Sequence, residues 1–263
     1  MKIPRARKRL RQNFGRRPCL RIRRRAFASD FVLNFRLWTH KLRAVPVLCY
    51  ILIALGAYLL GSIPFGFLAA KAKGIDIRSV GSGNIGATNA MRVLGKPIGI
   101  TVLLLDALKG FIAVCFGVMV FSKMQDAAGS APAAVVLAQA FNHAIIAGIC
   151  AVLGHNYTCW LKFKGGKGIA TTAGVYLALA PGPLLIAFVV FVLAVVLTRY
   201  VSIGSISAAV ALPTAVWLLA PHNWLLGLVT TALGALAIYK HKGNIQRLRA
   251  GTENRFGQKK ESK

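Results

Sequence analysis

An all-helical integral membrane protein, with about seven transmembrane helices joined by glycine-rich and basic loops, is predicted from three observations. Of 263 residues 56% are hydrophobic, and the mean hydropathy is +0.59. Only 6 residues are acidic against 34 Lys and Arg, unlike the charge mix of a soluble domain. The apolar residues gather into runs that approach or exceed the ~20 needed to cross a bilayer. The cations lie in tails and short loops between these runs. That is the pattern of membrane topology rather than of a nucleic-acid face, so lipid is an expected partner and nucleic acid is not.

Residues 1–44 carry fifteen Lys or Arg and one acid, Asp30. They lack apolar periodicity and repel one another, so this extension is expected to be disordered. An arginine-rich targeting peptide and a mis-assigned start near Val45 or Val47 both fit it. The membrane domain is expected over residues 45–240. Its spans run Val45–Ala70, Ile98–Phe121, Ala133–Leu153, Gly168–Ala180, Leu184–Thr198, Ile203–Ala220 and Trp224–Tyr239. The fourth and fifth are shorter than ~17 residues, so one of them is expected to be broken or only partly inserted. A basic tail over residues 241–263 closes the chain.

The loops alternate in charge. The first connection holds Lys71, Lys73, Arg78, Arg92 and Lys96, the third Lys162, Lys164 and Lys167, and the fifth follows Arg199. The intervening connections are neutral or nearly so, and the tail after Tyr239 is basic again. By the positive-inside rule the odd-numbered loops and the C-terminus face the cytoplasm. Seven spans then put the N-terminus outside, against its fifteen cations. Either the count is off by one or the extension is absent from the mature protein, and the regular loops favour the second reading.

Four polar clusters fall on the expected cytoplasmic side. The most concentrated is Ser79–Arg92, S-V-G-S-G-N-I-G-A-T-N-A-M-R. Gly81, Gly83 and Gly86 permit the positive-φ turns that aim backbone N–H groups at an anion. Ser82, Asn84, Thr88 and Asn89 add polar side chains, and Arg92 adds a forked cation suited to phosphate. The second cluster is Gly154-His155-Asn156 with Phe163-Lys164-Gly165-Gly166-Lys167-Gly168 at a helix start. The third is Ser202–Ser205, and the fourth runs from His241 and Asn244 to Glu253. Together they indicate a site for phosphorylated anions.

Other signals are weaker. Gly81, Gly83 and Gly86 match a dinucleotide fingerprint but follow a membrane span instead of a strand. Gly166-Lys167 lacks the flanking residues of a P-loop. Asp106 inside an apolar span has Lys109 on the same helical face, which suits a structural ion pair and a site role equally. His143 is expected to pack in the core and His222 to lie in an outer loop, while His155 and His241 sit in polar clusters. The five cysteines form no C-x-x-C pair and are expected as free thiols. Carboxylates are too few for a metal cluster, so no metal or cofactor is expected and activity should survive chelators.

These clusters resemble the acyl-phosphate-dependent glycerol-3-phosphate acyltransferases of bacteria, the PlsY type. The matching stretches are Gly61-Ser-Ile-Pro-Phe-Gly66, Asp76-Ile-Arg78 with Gly81 to Asn89, and Asp106 through Lys109-Gly110. They continue with Gly154-His-Asn156, Phe163 to Gly168 with Ala170-Thr171, Ser205, His241-Lys-Gly-Asn244 and Gly251-Thr-Glu253. The resemblance runs from about Val47 to the C-terminus and leaves the N-terminal extension without a counterpart.

The resemblance implies a seven-helix enzyme of the bacterial inner membrane with its active site on the cytoplasmic face. It would move an acyl group from acyl phosphate to the 1-hydroxyl of glycerol 3-phosphate, giving lysophosphatidic acid and phosphate for phospholipid synthesis. An enzyme that makes acyl phosphate is an implied partner. Ser82, Arg92, Lys167, Ser205, His241 and Asn244 would form the polar site. The Ser82–Asn89 loop would hold the acyl phosphate, Arg92 and Lys167 the phosphate of glycerol 3-phosphate, and His241 and Asn244 the acceptor. The two phosphate assignments are interchangeable at this level. His241 and a substrate phosphate are both candidate bases, and the H-x-x-x-x-D motif of soluble-type acyltransferases is absent. The residues alone suit a transporter of a phosphorylated anion as well, although no internal repeat is present and the clusters gather on one face.

Overall fold

The computed structural model describes residues 47–128 and 132–257, with the side chains of residues 127 and 128 left out. The N-terminal extension over residues 1–44, with Cys19 and His40, lies outside the described residues, as do residues 258–263 of the basic tail.

Every regular element among the described residues is helical. In chain order these are α1 (Val47–Ser62), α2 (Phe65–Lys71), α3 (Ala87–Leu94), α4 (Lys96–Ala128) and α5 (Ala133–Asn156). After a 3-10 turn at Cys159–Leu161 come α6 (Ile169–Leu179), α7 (Pro181–Thr198), α8 (Val201–Leu219), α9 (Trp224–Lys240) and α10 (Lys242–Arg249). The expected apolar runs all appear as helices among the described residues.

Among the described residues five segments are long and apolar enough to cross a membrane, and α9 with α10 forms a further candidate bent by 50°. The remaining run is α6, only 11 residues long. At ~1.5 Å per residue it covers about half of a ~30 Å hydrocarbon core. The shortfall expected at the fourth span is therefore real, whereas the fifth is completed by Pro181–Pro183 to 18 residues.

Two further differences have local causes. The first span breaks after Ser62, because Pro64 offers no N–H to continue the ladder. The second half of the Ser79–Arg92 stretch is helical, so Thr88, Asn89 and Arg92 sit on α3. Gly86 precedes that helix, and Gly95 ends it at φ 94°, a conformation suited to glycine.

Small residues set the packing, as expected where lipid gives helices no hydrophobic reason to associate. A Cβ on Gly61 of α1 would lie 2.1 Å from the Ala151 carbonyl oxygen of α5, and one on Gly154 of α5 would lie 2.2 Å from the Tyr58 oxygen of α1. The same reciprocal contact joins α4 to α6. There a Cβ on Gly110 would lie 2.2 Å from the Thr171 oxygen and one on Gly174 1.7 Å from the Ala107 oxygen. Backbones this close leave no room for side chains. His143 packs as expected, stacked between Tyr50 and Phe121 at 4.3 and 4.6 Å. Its Nδ1–H donates to the Gln139 carbonyl at 2.7 Å. The four described cysteines are free thiols. Leucine and valine cover the outside, with Leu197 81% exposed on α7, a surface that suits lipid.

Gly174→Ala is expected to destabilise the bundle by about 1–3 kcal/mol, the range for overpacked cores, or to prevent its folding. Gly182→Ala should be silent, because its Cβ would meet only Leu219 Cδ1 at 3.9 Å. Thermal aggregation of the two detergent-purified variants tests the difference. Equal midpoints would mean that the α4–α6 crossing yields easily.

Candidate active site

The four polar clusters converge on one cavity of about 150 Å³. Three helix starts open onto it: Gly86, Ala87 and Thr88 at α3, Gly168, Ile169 and Ala170 at α6, and Val201 and Ser202 at α8. Each start presents amides without intrahelical partners and the positive end of a helix dipole. Arg92, Lys167, His155 and His241 add basic side chains, and Asp106 and Glu253 add two carboxylates. Leu103 and Phe191 supply apolar wall. The cavity is thus built to hold anionic oxygen beside an apolar surface.

Asn89 builds the first wall. Its Oδ1 accepts the Ser82 N–H at 2.8 Å, and its Nδ2 donates toward the carbonyls of Asn84, Val80 and Ile77 at 2.9, 3.1 and 3.3 Å. This amide, buried at 1% exposure, ties the glycine-rich loop to α3. Its hydrogen-bonding groups are therefore engaged with backbone, which makes Asn89 a scaffold more than a ligand. Asn84 acts similarly at its Oδ1, which accepts the Gly86 N–H at 2.8 Å. Gly81 and Gly83, expected to touch substrate, do not line the cavity; they sit at φ 65° and 69° and turn the loop. Ser82 and Thr88 do line it.

The second wall hangs on the end of α5. Gly165 and Gly166 donate their N–H groups to the carbonyls of Asn156 and His155 at 3.2 and 3.0 Å. A Cβ on Gly165 would fall 2.0 Å from the His155 oxygen, and one on Gly166 would fall 2.1 Å from His155 Nε2. These two glycines, also expected at the substrate, lie outside the cavity lining and let the loop press against α5. The result is the placement of Lys167 and Gly168 in the cavity. The Gly154-His155-Asn156 cluster is accordingly the last turn of a helix instead of a loop.

Lys167 Nζ donates to Asn244 Oδ1, and Asn244 Nδ2 donates to Glu253 Oε1 at 2.6 Å. Arg247 Nε holds the other carboxylate oxygen at 2.7 Å. Asn244, expected beside the acceptor, is therefore engaged on both sides and aligns Lys167. Partial burial pushes Glu253 up, but hydrogen bonds from Asn244 and Arg247 outweigh it and hold the carboxyl below its usual range. Burial pushes the Lys167 ammonium down to about 8, with Glu253 opposing and Arg247 and Arg92 reinforcing that shift. Arg92 lies across the cavity on the exposed face of α3.

His241 joins α9 to α10, and its Nδ1 lies 2.7 Å from the Ala237 carbonyl. A carbonyl only accepts, so Nδ1 carries a proton and a neutral ring leaves Nε2 as the acceptor. Ser205 lines the cavity with its hydroxyl donated to the Val201 carbonyl at 2.9 Å, leaving oxygen lone pairs open.

Sequence reasoning left Asp106 and His155 undecided, and both line the cavity. Asp106 Oδ1 is 2.8 Å from Lys109 Nζ and 3.4 Å from His155 Nδ1. Lys109 also donates to the Ile63 carbonyl at 2.8 Å, tying the ion pair to the break after α1. It is structural and beside the site at once. Ser202, Asn254, Leu103 and Phe191 were not singled out as site residues. Only the last two lack any signal, because an apolar residue in a span looks the same facing substrate or lipid.

Residues 51–251 match the family model described as "Glycerol-3-phosphate acyltransferase". A glycerol-3-phosphate acyltransferase of Desulforamulus reducens is 48% identical over 211 residues, 80% of this chain and 96% of that protein. One from Geobacter metallireducens is 51% identical over 210 residues, 80% of this chain and 99% of the relative. Among solved structures, the glycerol 3-phosphate form of PlsY (YgiH), an integral membrane glycerol 3-phosphate acyltransferase, superposes with a TM-score of 0.68. It is 38% identical, covering 79% of this chain and 96% of that one. The lysophosphatidic acid form of PlsY matches with a TM-score of 0.66 at 37% identity.

Proposed function

The chain belongs to the glycerol-3-phosphate acyltransferase family, and we propose that its cavity carries an acyl group from acyl phosphate to the 1-hydroxyl of glycerol 3-phosphate. The products are lysophosphatidic acid and phosphate. The protein is a membrane-embedded acyltransferase. The observation that carries the reading of the site is the convergence of three helix starts, Arg92 and Lys167 on one cavity with an apolar wall. Two phosphorylated substrates, one with an acyl chain, need that combination.

The chemistry follows from these groups. Acyl phosphate is an activated mixed anhydride, so positioning two anions together supplies much of the acceleration. Arg92 and Lys167 would hold the phosphate of glycerol 3-phosphate and lessen its repulsion from the donor. The free amides at the start of α3, with Ser82 and Thr88, would hold the donor and stabilise charge developing on its carbonyl oxygen. The acceptor oxygen attacks the carbonyl carbon, the bond from that carbon to the phosphate oxygen breaks, and its electron pair leaves with phosphate. His241 Nε2 would take the hydroxyl proton. Leu103 and Phe191 would receive the start of the acyl chain.

The loops that build the cavity are the basic ones, and the positive-inside rule places them in the cytoplasm, where we locate the active site in the bacterial inner membrane. An enzyme that forms acyl phosphate is the partner that this donor requires.

Purified protein in lipid vesicles, given palmitoyl phosphate with and without glycerol 3-phosphate, tests the reading. Phosphate release should require the acceptor and yield lysophosphatidic acid. Glycerol 3-phosphate crossing the vesicle wall without phosphate release would replace the enzyme by a transporter.

A further inference from the structure

A second, larger cavity of about 500 Å³ lies at the end of α7, lined by Val195, Val196, Arg199, Arg255, Phe256 and Gly257. None of these residues lines the active-site cavity. Its two arginines have no carboxylate partner among the described residues, in contrast to Arg78 and Arg247. Arg255 is held in place all the same: its Nε donates to Tyr200 Oη at 3.0 Å, and its guanidinium lies 5.6 Å from that ring's centre. Arg199 sits at φ 62°, a left-handed conformation that residues other than glycine adopt only under local constraint. That turn offers the Arg199 carbonyl to the Phe256 N–H at 2.6 Å, which folds residues 250–257 back onto the end of α7.

The surroundings are apolar. Val196 is 69% exposed on a helix whose outer face suits lipid, and Phe256, in the strap, is 55% exposed. Among the described residues, two cations without a carboxylate partner stand where an apolar span ends, beside valine and phenylalanine. Arginine at such a boundary favours a phosphate group, and the apolar residues favour the hydrocarbon attached to it.

We propose that this cavity binds an anionic phospholipid of the surrounding bilayer, with its phosphate between Arg199 and Arg255 and an acyl chain along Val195, Val196 and Phe256. The bound lipid would clamp the strap of residues 250–257 to α7. That strap carries Glu253 and Asn254 into the active-site cavity, so lipid at one site steadies groups at the other. The inference does not depend on which acyl donor the active site uses.

Native mass spectrometry of the full chain, titrated with phosphatidylglycerol or phosphatidylcholine of identical chains, tests it. The wild type should retain phosphatidylglycerol preferentially. Arg199→Gln, which leaves the Arg255–Tyr200 contact intact, should reduce that preference about fivefold, and the double variant with Arg255→Gln should reduce it further. Lys71→Gln/Lys73→Gln removes two cations elsewhere and should leave it unchanged. Amide exchange in residues 251–257 should slow in phosphatidylglycerol nanodiscs, and this slowing should vanish in Arg199→Gln. Equal retention of both lipids, a preference that survives the double variant, or an equal loss in the lysine control would overturn the proposal. So would retention seen only after removal of residues 258–263, which would make the chain's own tail the occupant.

Discussion

Lys167→Met is expected to lower kcat/KM for glycerol 3-phosphate by about 10²–10³, the range for removing one charge-stabilising donor from a preorganised site. Methionine keeps most of the volume but abolishes both the cation and its bond to Asn244. The wild-type pH dependence has a definite sign. The ammonium titrates at about 8, chiefly because burial disfavours its charge. Below that pH it is a cation and attracts a phosphate dianion. Above it, substrate must bind a neutral amine or recover the proton, so KM should rise about tenfold per pH unit once the pH exceeds 8. Lys167→Arg should remove that rise, since guanidinium stays charged throughout, while altered geometry lowers kcat. A wild-type KM that stays flat to pH 10 would exclude Lys167 as the phosphate-binding cation.

Legibility from sequence followed the kind of signal each residue leaves. Arg92, Lys167, Ser205, His241 and Glu253 could be read because a polar residue beside a membrane span has few bland explanations, and all five line one cavity. Glycine was easier to find than to interpret. Gly81, Gly83, Gly165 and Gly166 look like direct phosphate ligands, but two turn a loop at positive φ and two press a loop against α5. From the sequence both uses look alike, because each needs only the absence of a Cβ. Asn89, which lines the cavity, is ambiguous in a related way. An amide in a glycine-rich run suits a ligand and a loop staple equally, and only its four backbone contacts decide. The short fourth run was legible as well, because its few apolar residues already fall below a full crossing, and α6 has 11 residues. Leu103 and Phe191 were beyond reach, since hydropathy cannot tell a wall facing an acyl chain from one facing lipid.

His241→Ala is expected to lower kcat by about 10²–10⁴, the usual contribution of a positioned acid or base, with a smaller change in KM. The argument rests on the Nδ1 contact to Ala237, which fixes both the ring's orientation and the nitrogen left to accept a proton. The alternative acceptor is the donor's own phosphate, which needs no side chain. The two routes separate in His241→Gln. A glutamine can still hold the acceptor hydroxyl by a hydrogen bond, but it takes no proton at neutral pH. If His241 is the base, the glutamine variant should stay nearly as slow as the alanine variant. If His241 only orients the acceptor, glutamine should restore most of the rate and the donor phosphate becomes the proton's destination. Near-wild-type turnover by His241→Ala would exclude both roles. The bond between Lys167 and Asn244 links the two predictions, because Asn244 follows His241 on α10 and aligns Lys167. Loss of that alignment in His241→Ala would raise KM, so KM separates a displaced α10 from lost proton transfer.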